Sequence, residues 1–141
     1  DRIANAIGII DYKNNFIVLD FGTATTFDVV VKDCYKGGII APGVNLSLNT
    51  LSSKAKLIPN IKLSKAKNII GKNTQNAVKS GFYWGYQGLI ENIINMIERE
   101  TKRRYNVIFT GGLSDLFKYS IKKKIKINKD LTIKGLLKLI E

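Results

Sequence analysis

The chain has 141 residues, with 23 Lys and Arg against 11 Asp and Glu, a formal net charge of +12, one Cys and no His. That length predicts one core and is small for a complete two-lobed enzyme. The 45% hydrophobic and 24% charged residues fit a soluble globular chain, with no apolar run near the roughly 18 residues of a membrane span. Cys34 alone excludes an internal disulfide, and the lack of His excludes Ser-His-Asp, Cys-His and His-zinc chemistry built from this chain. Catalysis here has to rest on carboxylates, backbone amides and cations.

Residues Ile3, Ala6, Ile7 and Ile10 follow the spacing of one helical face, so the chain opens in a helix. A polar turn over residues 11–15 leads to Phe16-Ile17-Val18-Leu19, a buried strand ending at Asp20. Thr25 to Val31 reads as a second strand, close enough to pair with the first as a hairpin. Gly37 to Ile40 reads as a third, closing on Pro42-Gly43, with Cys34 in the turn before it. Leu48, Leu51 and Ala55 mark a helix from Val44 to Leu57, which Pro59 ends.

A longer helix runs from Thr74 towards Glu100, with Thr74 as either its cap, the default for such a position, or a hydroxyl aimed at a ligand. Its Gly81, Gly85 and Gly88 cost about 1 kcal/mol each relative to Ala, which predicts a close backbone neighbour there. Asn106 to Thr110 is another buried strand, followed by Gly111-Gly112 and a short helix to Phe117. Ile125, Ile127, Leu131 and Ile133 alternate as one strand, and Gly135 to Ile140 forms a closing helix.

The main chemical signal is Leu19-Asp20-Phe21-Gly22-Thr23-Ala24-Thr25-Thr26. A strand delivers a carboxylate at its end, and Gly22 lets backbone N–H groups and hydroxyls converge, a geometry suited to phosphate oxygens with Asp20 handling a cation or its waters. A plain Gly-containing hairpin accounts for the same residues. Thr110-Gly111-Gly112 is a second tight strand-to-helix turn, open to a flat ligand such as adenine. Asp1-Arg2 pairs a proton acceptor with a carboxylate clamp, or is simply a helix start with a solvated Arg.

A pI near 9.8 raises nucleic-acid binding, supported locally by Lys122, Lys123, Lys124, Lys126 and Lys129. Lysines are scattered through an Ile- and Asn-rich background, however, and no aromatic residue interleaves that cluster to stack on bases. Neither nucleic acid nor membrane is expected as a partner.

Together the segments Asp1-Arg2-Ile3-Ala4-Asn5-Ala6, Asp20 to Asp28, and Gly37-Gly38-Ile39-Ile40-Ala41-Pro42-Gly43 resemble the type III pantothenate kinases of bacteria. The resemblance continues through Gly71-Lys72-Asn73-Thr74, Ser80-Gly81, Gly85-Tyr86-Gln87-Gly88, Thr110-Gly111-Gly112 and Asp130 to Leu136, in the family's order over almost the whole chain. It implies an α/β fold: one RNase H-like, actin-like ATPase lobe of a two-lobed kinase, with a mixed β-sheet flanked by helices.

The activity implied is transfer of the γ-phosphoryl of ATP to pantothenate, the first step of coenzyme A synthesis, by a cytoplasmic homodimer using Mg2+ and a monovalent cation, K+ or NH4+. Carried over by position, Asp1 is the general base, Arg2 and Thr74 bind substrate, and Asp20 is the cation ligand. Gly22 and Thr23 contact ATP phosphates, and Gly111-Gly112 forms the adenosine-side turn.

The family's first phosphate loop, an Asp-x-Gly-Asn-Thr type segment, is absent from this chain, which opens on Asp1 without Met. A fragment is therefore expected, with residues 1–12 as the last helix of a preceding lobe and 13–141 as the C-terminal lobe, inactive alone. The alternative is a non-catalytic regulatory or accessory relative; intact Asp20, Gly22 and Thr23 favour the enzyme.

Overall fold

The computed structural model describes residues 2–141. Ten elements follow in chain order: α1 (Arg2–Ile9), β1 (Asn15–Phe21), β2 (Ala24–Val31), β3 (Cys34–Pro42), α2 (Val44–Lys54), α3 (Thr74–Thr101), β4 (Asn106–Gly111), α4 (Ser114–Lys118), β5 (Ile125–Ile127) and α5 (Leu131–Ile140). The strands form one five-stranded sheet in the order β3-β2-β1-β4-β5. β1, β2 and β3 pair antiparallel, as the predicted hairpin requires, whereas β4 lies parallel to both β1 and β5.

Side chains alternate across the sheet and build a different layer on each face. Ile17, Leu19, Phe21, Phe27, Val29, Val107 and Phe109 form the main core with Tyr83, Ile90, Ile94 and Ile97 of α3 and Phe117 of α4. Phe21 meets Phe109 edge-on at 5.2 Å between ring centroids and stacks on Phe117 at 5.5 Å. The opposite face carries Val18 and Ile108, which pack with Leu131 of α5 and Ile9 of α1. Asp20 and Asp28 share this second face, because Asp20 is two residues from Val18 and Asp28 is paired with Val18 across the ladder. The face towards α3 is thus apolar, while the face towards α1 carries the carboxylates.

Several predicted boundaries shift. Only Ile125 to Ile127 is strand in the tail; Leu131 and Ile133 belong to α5. The alternation breaks at Asn128-Lys129-Asp130, and the buried residues beyond it, Leu131 and Gly135, are four apart, the repeat of a helix seated on a neighbour. That neighbour is α1: a Cβ on Gly135 would lie 1.6 Å from the carbonyl oxygen of Ala4, so the two helices touch backbone to backbone. β3 starts at Cys34, which places this exposed thiol in a strand instead of a turn; Lys32, at φ 57, reverses the chain within two residues. α2 stops at Lys54, earlier than predicted, and buries Val44 and Leu48 while Leu51 stays exposed.

The glycines of α3 depart most from expectation. A Cβ at Gly81, Gly85 or Gly88 would meet nothing within 4 Å, so the close approach predicted for them is not made by the described residues of this chain.

Candidate active site

In the parallel register of β1 and β4, Asp20 is opposite Thr110 and Phe21 opposite Gly111. This ladder sets the two predicted turns side by side at the carboxyl end of the sheet. Gly22 donates its N–H to the carbonyl of Ala24 at 3.1 Å, closing the first turn and leaving Gly22 and Thr23 exposed. In the second turn Gly111 takes φ +94, and a Cβ there would lie 2.6 Å from the carbonyl oxygen of Phe21. Only glycine permits both that conformation and that approach. Gly43, ahead of α2, packs equally tightly on Thr23, which closes the cluster from a third side. Asp20, Gly22, Thr23, Gly111 and Gly112, separated widely in sequence, are therefore neighbours.

α1 crosses this cluster on the carboxylate face. Asn5, fully buried, donates from Nδ2 to Oδ2 of Asp20 at 3.0 Å, and its own Oδ1 accepts from the hydroxyl of Thr132 in α5. One turn earlier on the same helix, Arg2 Nε donates to Oδ1 of Asp28 at 2.8 Å, and its Nη2 donates to the Tyr35 hydroxyl at 2.9 Å. Tyr35 in turn donates to Asp28 Oδ1 at 2.8 Å. The Asp28 hydrogen bond and charge raise the Arg2 pKa further above its ordinary value. Desolvation of the Tyr35 hydroxyl, then the hydrogen bond to Asp28, raise that phenol as well. The predicted base, Asp1, lies outside the described residues.

Thr74 is not drawn into this cluster. It is exposed at the first position of α3, and the cap is Asn73, whose Oδ1 accepts from the N–H of Asn76 at 2.8 Å. Asn outranks Thr as a cap, which explains the one-residue shift from the predicted Thr74. Beside it lies a groove lined by Lys65, Lys67, Lys72 and Lys79, a positive setting for an anionic ligand.

Among the described residues no group of three or more His, Cys, Asp or Glu could hold a metal ion. Asp20 nevertheless fits a cation held jointly with phosphates: Oδ2 is committed to Asn5, while Oδ1 accepts no hydrogen bond from a described residue and faces the Gly22 turn. A single carboxylate completed by phosphate and water oxygens is an ordinary hard-cation donor set. Asn5, Asp28, Tyr35 and Thr132 were not singled out from sequence as site residues. Asn5, Asp28 and Thr132 sit inside the motif segments, and that was their only signal; Tyr35 had none.

The family model for type III pantothenate kinase matches residues 1–96. The chain is 62% identical to the type III pantothenate kinase of Pelagibacter ubique over 98% of its own length and 56% of that relative. With the enzyme of the same name from a Ruegeria species it shares 46% identity over 100% of this chain and 55% of the relative. The chain thus spans about half the length of the curated relatives it matches. Among solved structures, a Campylobacter jejuni protein described as a Baf family transcriptional activator superposes with a TM-score of 0.70 at 24% identity, over 99% of this chain and 62% of that one. A Cytophaga hutchinsonii chain described as a sugar kinase gives 0.59 at 15% identity, over 99% and 63%. These likenesses and the mixed five-stranded sheet between helices agree on the actin-like ATPase fold. With a family match over residues 1–96 and relatives aligned along nearly all of its length, the chain belongs to the type III pantothenate kinase family.

Proposed function

We propose that the full-length protein carrying this chain transfers the γ-phosphoryl group of ATP to the terminal hydroxyl of pantothenate, releasing ADP and 4′-phosphopantothenate. The observation that carries this reading is the apposition of the Asp20-Gly22-Thr23 turn with Gly111-Gly112 across the β1–β4 ladder. Two open glycine turns at the carboxyl end of parallel strands suit a nucleotide, with phosphates over the first turn and adenosine against the second.

Residues 1–12 belong in this reading to the end of a preceding lobe and 13–141 to the C-terminal lobe. Asp1 takes the proton of the pantothenate hydroxyl as its oxygen bonds to the γ-phosphorus and the bond from that phosphorus to the β–γ bridging oxygen breaks. Arg2, fixed through Nε and Nη2, keeps Nη1 for the pantothenate carboxylate; Thr74, outside that cluster, stands as a second substrate contact by its motif position alone. Asp20 would hold the monovalent cation, K+ or NH4+, which would supply positive charge to the phosphates. Mg2+, when bound, supplies charge neutralisation on the transferring group. Phosphoryl transfer relies on positioning and electrostatics more than on covalent chemistry, which suits a chain without His. The working form is a homodimer, and the open face of Gly81, Gly85 and Gly88 leaves room for a second chain.

A coupled ADP-release assay on the full-length protein with Mg2+ tests the proposal. Turnover should require pantothenate and be faster in potassium than in sodium. ADP release indifferent to pantothenate would overturn it.

A further inference from the structure

Asp20 does not stand alone at the end of β1. Its Oδ2 accepts from Nδ2 of Asn5 at 3.0 Å, and Asn5 Oδ1 accepts from Thr132 Oγ1. The three residues come from β1, α1 and α5, and Thr132 is separated from Asn5 by 127 positions. Asn5 is fully buried, so both ends of its amide need partners, and the direction of the chain is fixed. The Asp20 carboxylate can only accept, which turns the Asn5 NH2 group towards it and leaves the amide oxygen for the Thr132 hydroxyl to donate to.

The backbone is arranged to allow this. Gly135 lets α5 lie against the Ala4 carbonyl, and Gly8 sits against the Leu131 carbonyl, where a Cβ would be 2.8 Å away. Thr132 lies between these two contacts. Asp130, the residue before α5, makes no side-chain capping bond, and the Thr132 hydroxyl is directed across to α1 instead of back to its own helix.

We infer that Thr132 is a positioning residue for the cation site: through Asn5 it fixes the Asp20 carboxylate so that Oδ2 is occupied and Oδ1 is presented at the Gly22 turn. This inference rests on the proposed role of Asp20 and extends it to a residue of the last helix. A ligand carboxylate whose second oxygen is tied by a directed hydrogen bond loses less rotational freedom on binding a cation, and outer partners of this kind change affinity by about tenfold or more. Removal of the Thr132 hydroxyl leaves the buried Asn5 oxygen without its partner, so the amide is no longer held at both ends and the Asp20 carboxylate loses its fixed bearing.

The test uses the full-length protein as wild type, Thr132→Val and Thr132→Ser. Two quantities are measured: the potassium concentration giving half-maximal pantothenate-dependent ADP release, and the potassium-dependent rise in melting temperature relative to sodium at matched ionic strength. Thr132→Val should raise the potassium requirement about tenfold in both readouts, with kcat at saturating potassium within about twofold of wild type. Thr132→Ser should restore both. If Thr132→Val melts cooperatively and needs the same potassium as wild type, or loses kcat with its potassium requirement unchanged, the positioning role is wrong while the function stands. A wild-type protein indifferent to potassium in both readouts would remove the role of Asp20 and this inference with it.

Discussion

Arg2 reaches from the first turn of α1 to the middle of β2, where its Nε donates to Oδ1 of Asp28 at 2.8 Å. Asp28 is fully buried and Arg2 is 35% exposed at its side chain, so the guanidinium neutralises an interior charge while keeping one edge towards solvent. Its outward reach is set from within the sheet.

Arg2→Ala should therefore destabilise the protein as well as impair substrate binding. Loss of one partner from a buried pair costs about 3–5 kcal/mol; the partial exposure of Arg2 lets water reach the site, so about 2 kcal/mol is expected in urea unfolding. Asp28→Asn in the Arg2→Ala background should recover most of that stability and none of the pantothenate affinity. A double variant as unstable as the single one would contradict the pairing.

Asp28→Asn alone should raise the KM for pantothenate by about tenfold while changing kcat less, because it loosens Arg2, for which we propose a role in binding substrate away from the reacting atoms. Steady-state kinetics on the full-length protein separate the two constants.

Tyr35 gives a pH dependence with a definite sign. Its folded-state pKa is raised by desolvation and by Asp28, so its contribution to stability is complete below the ordinary tyrosine value of about 10. The contribution is lost as pH rises through the higher folded value. Ultraviolet titration of wild type against Tyr35→Phe should isolate one phenol ionising above the ordinary tyrosine value. In Asp28→Asn that phenol should move down, towards its ordinary value.

Two glycine substitutions should act in opposite directions. Gly135→Ala sets a methyl 1.6 Å from the Ala4 carbonyl oxygen and should cost about 3 kcal/mol, at the upper end of overpacking penalties. Gly85→Ala enters open space and should stabilise α3 by about 0.5–1 kcal/mol if no second chain covers it. Destabilisation by Gly85→Ala that depends on protein concentration would place a second chain on that face.

Periodicity located most of the frame. The buried strands ending at Asp20 and Thr110 and the long helix from Thr74 were all legible, because continuous apolar runs and a helical repeat of buried positions are strong local signals. The tail was misread: Ile125, Ile127, Leu131 and Ile133 alternate in sequence, yet α5 forms because Gly135 allows α1 to approach, a contact more than a hundred residues away in the chain. The glycine turns were visible as site candidates from their place directly after apolar strands. Their apposition was not, since it depends on β4 pairing parallel to β1. Asn5 and Thr132 were similarly hidden, because a buried amide reads as an ordinary polar residue until both of its partners are in place.

The most direct test is mass spectrometric analysis of the product after the full-length protein is incubated with ATP, Mg2+, K+ and pantothenate, beside Asp20→Asn. The account predicts pantothenate carrying one added phosphoryl group in the wild-type reaction, and a product reduced by at least about a hundredfold in the variant. A folded wild-type protein that leaves pantothenate unmodified, or an Asp20→Asn variant as productive as wild type, would contradict it.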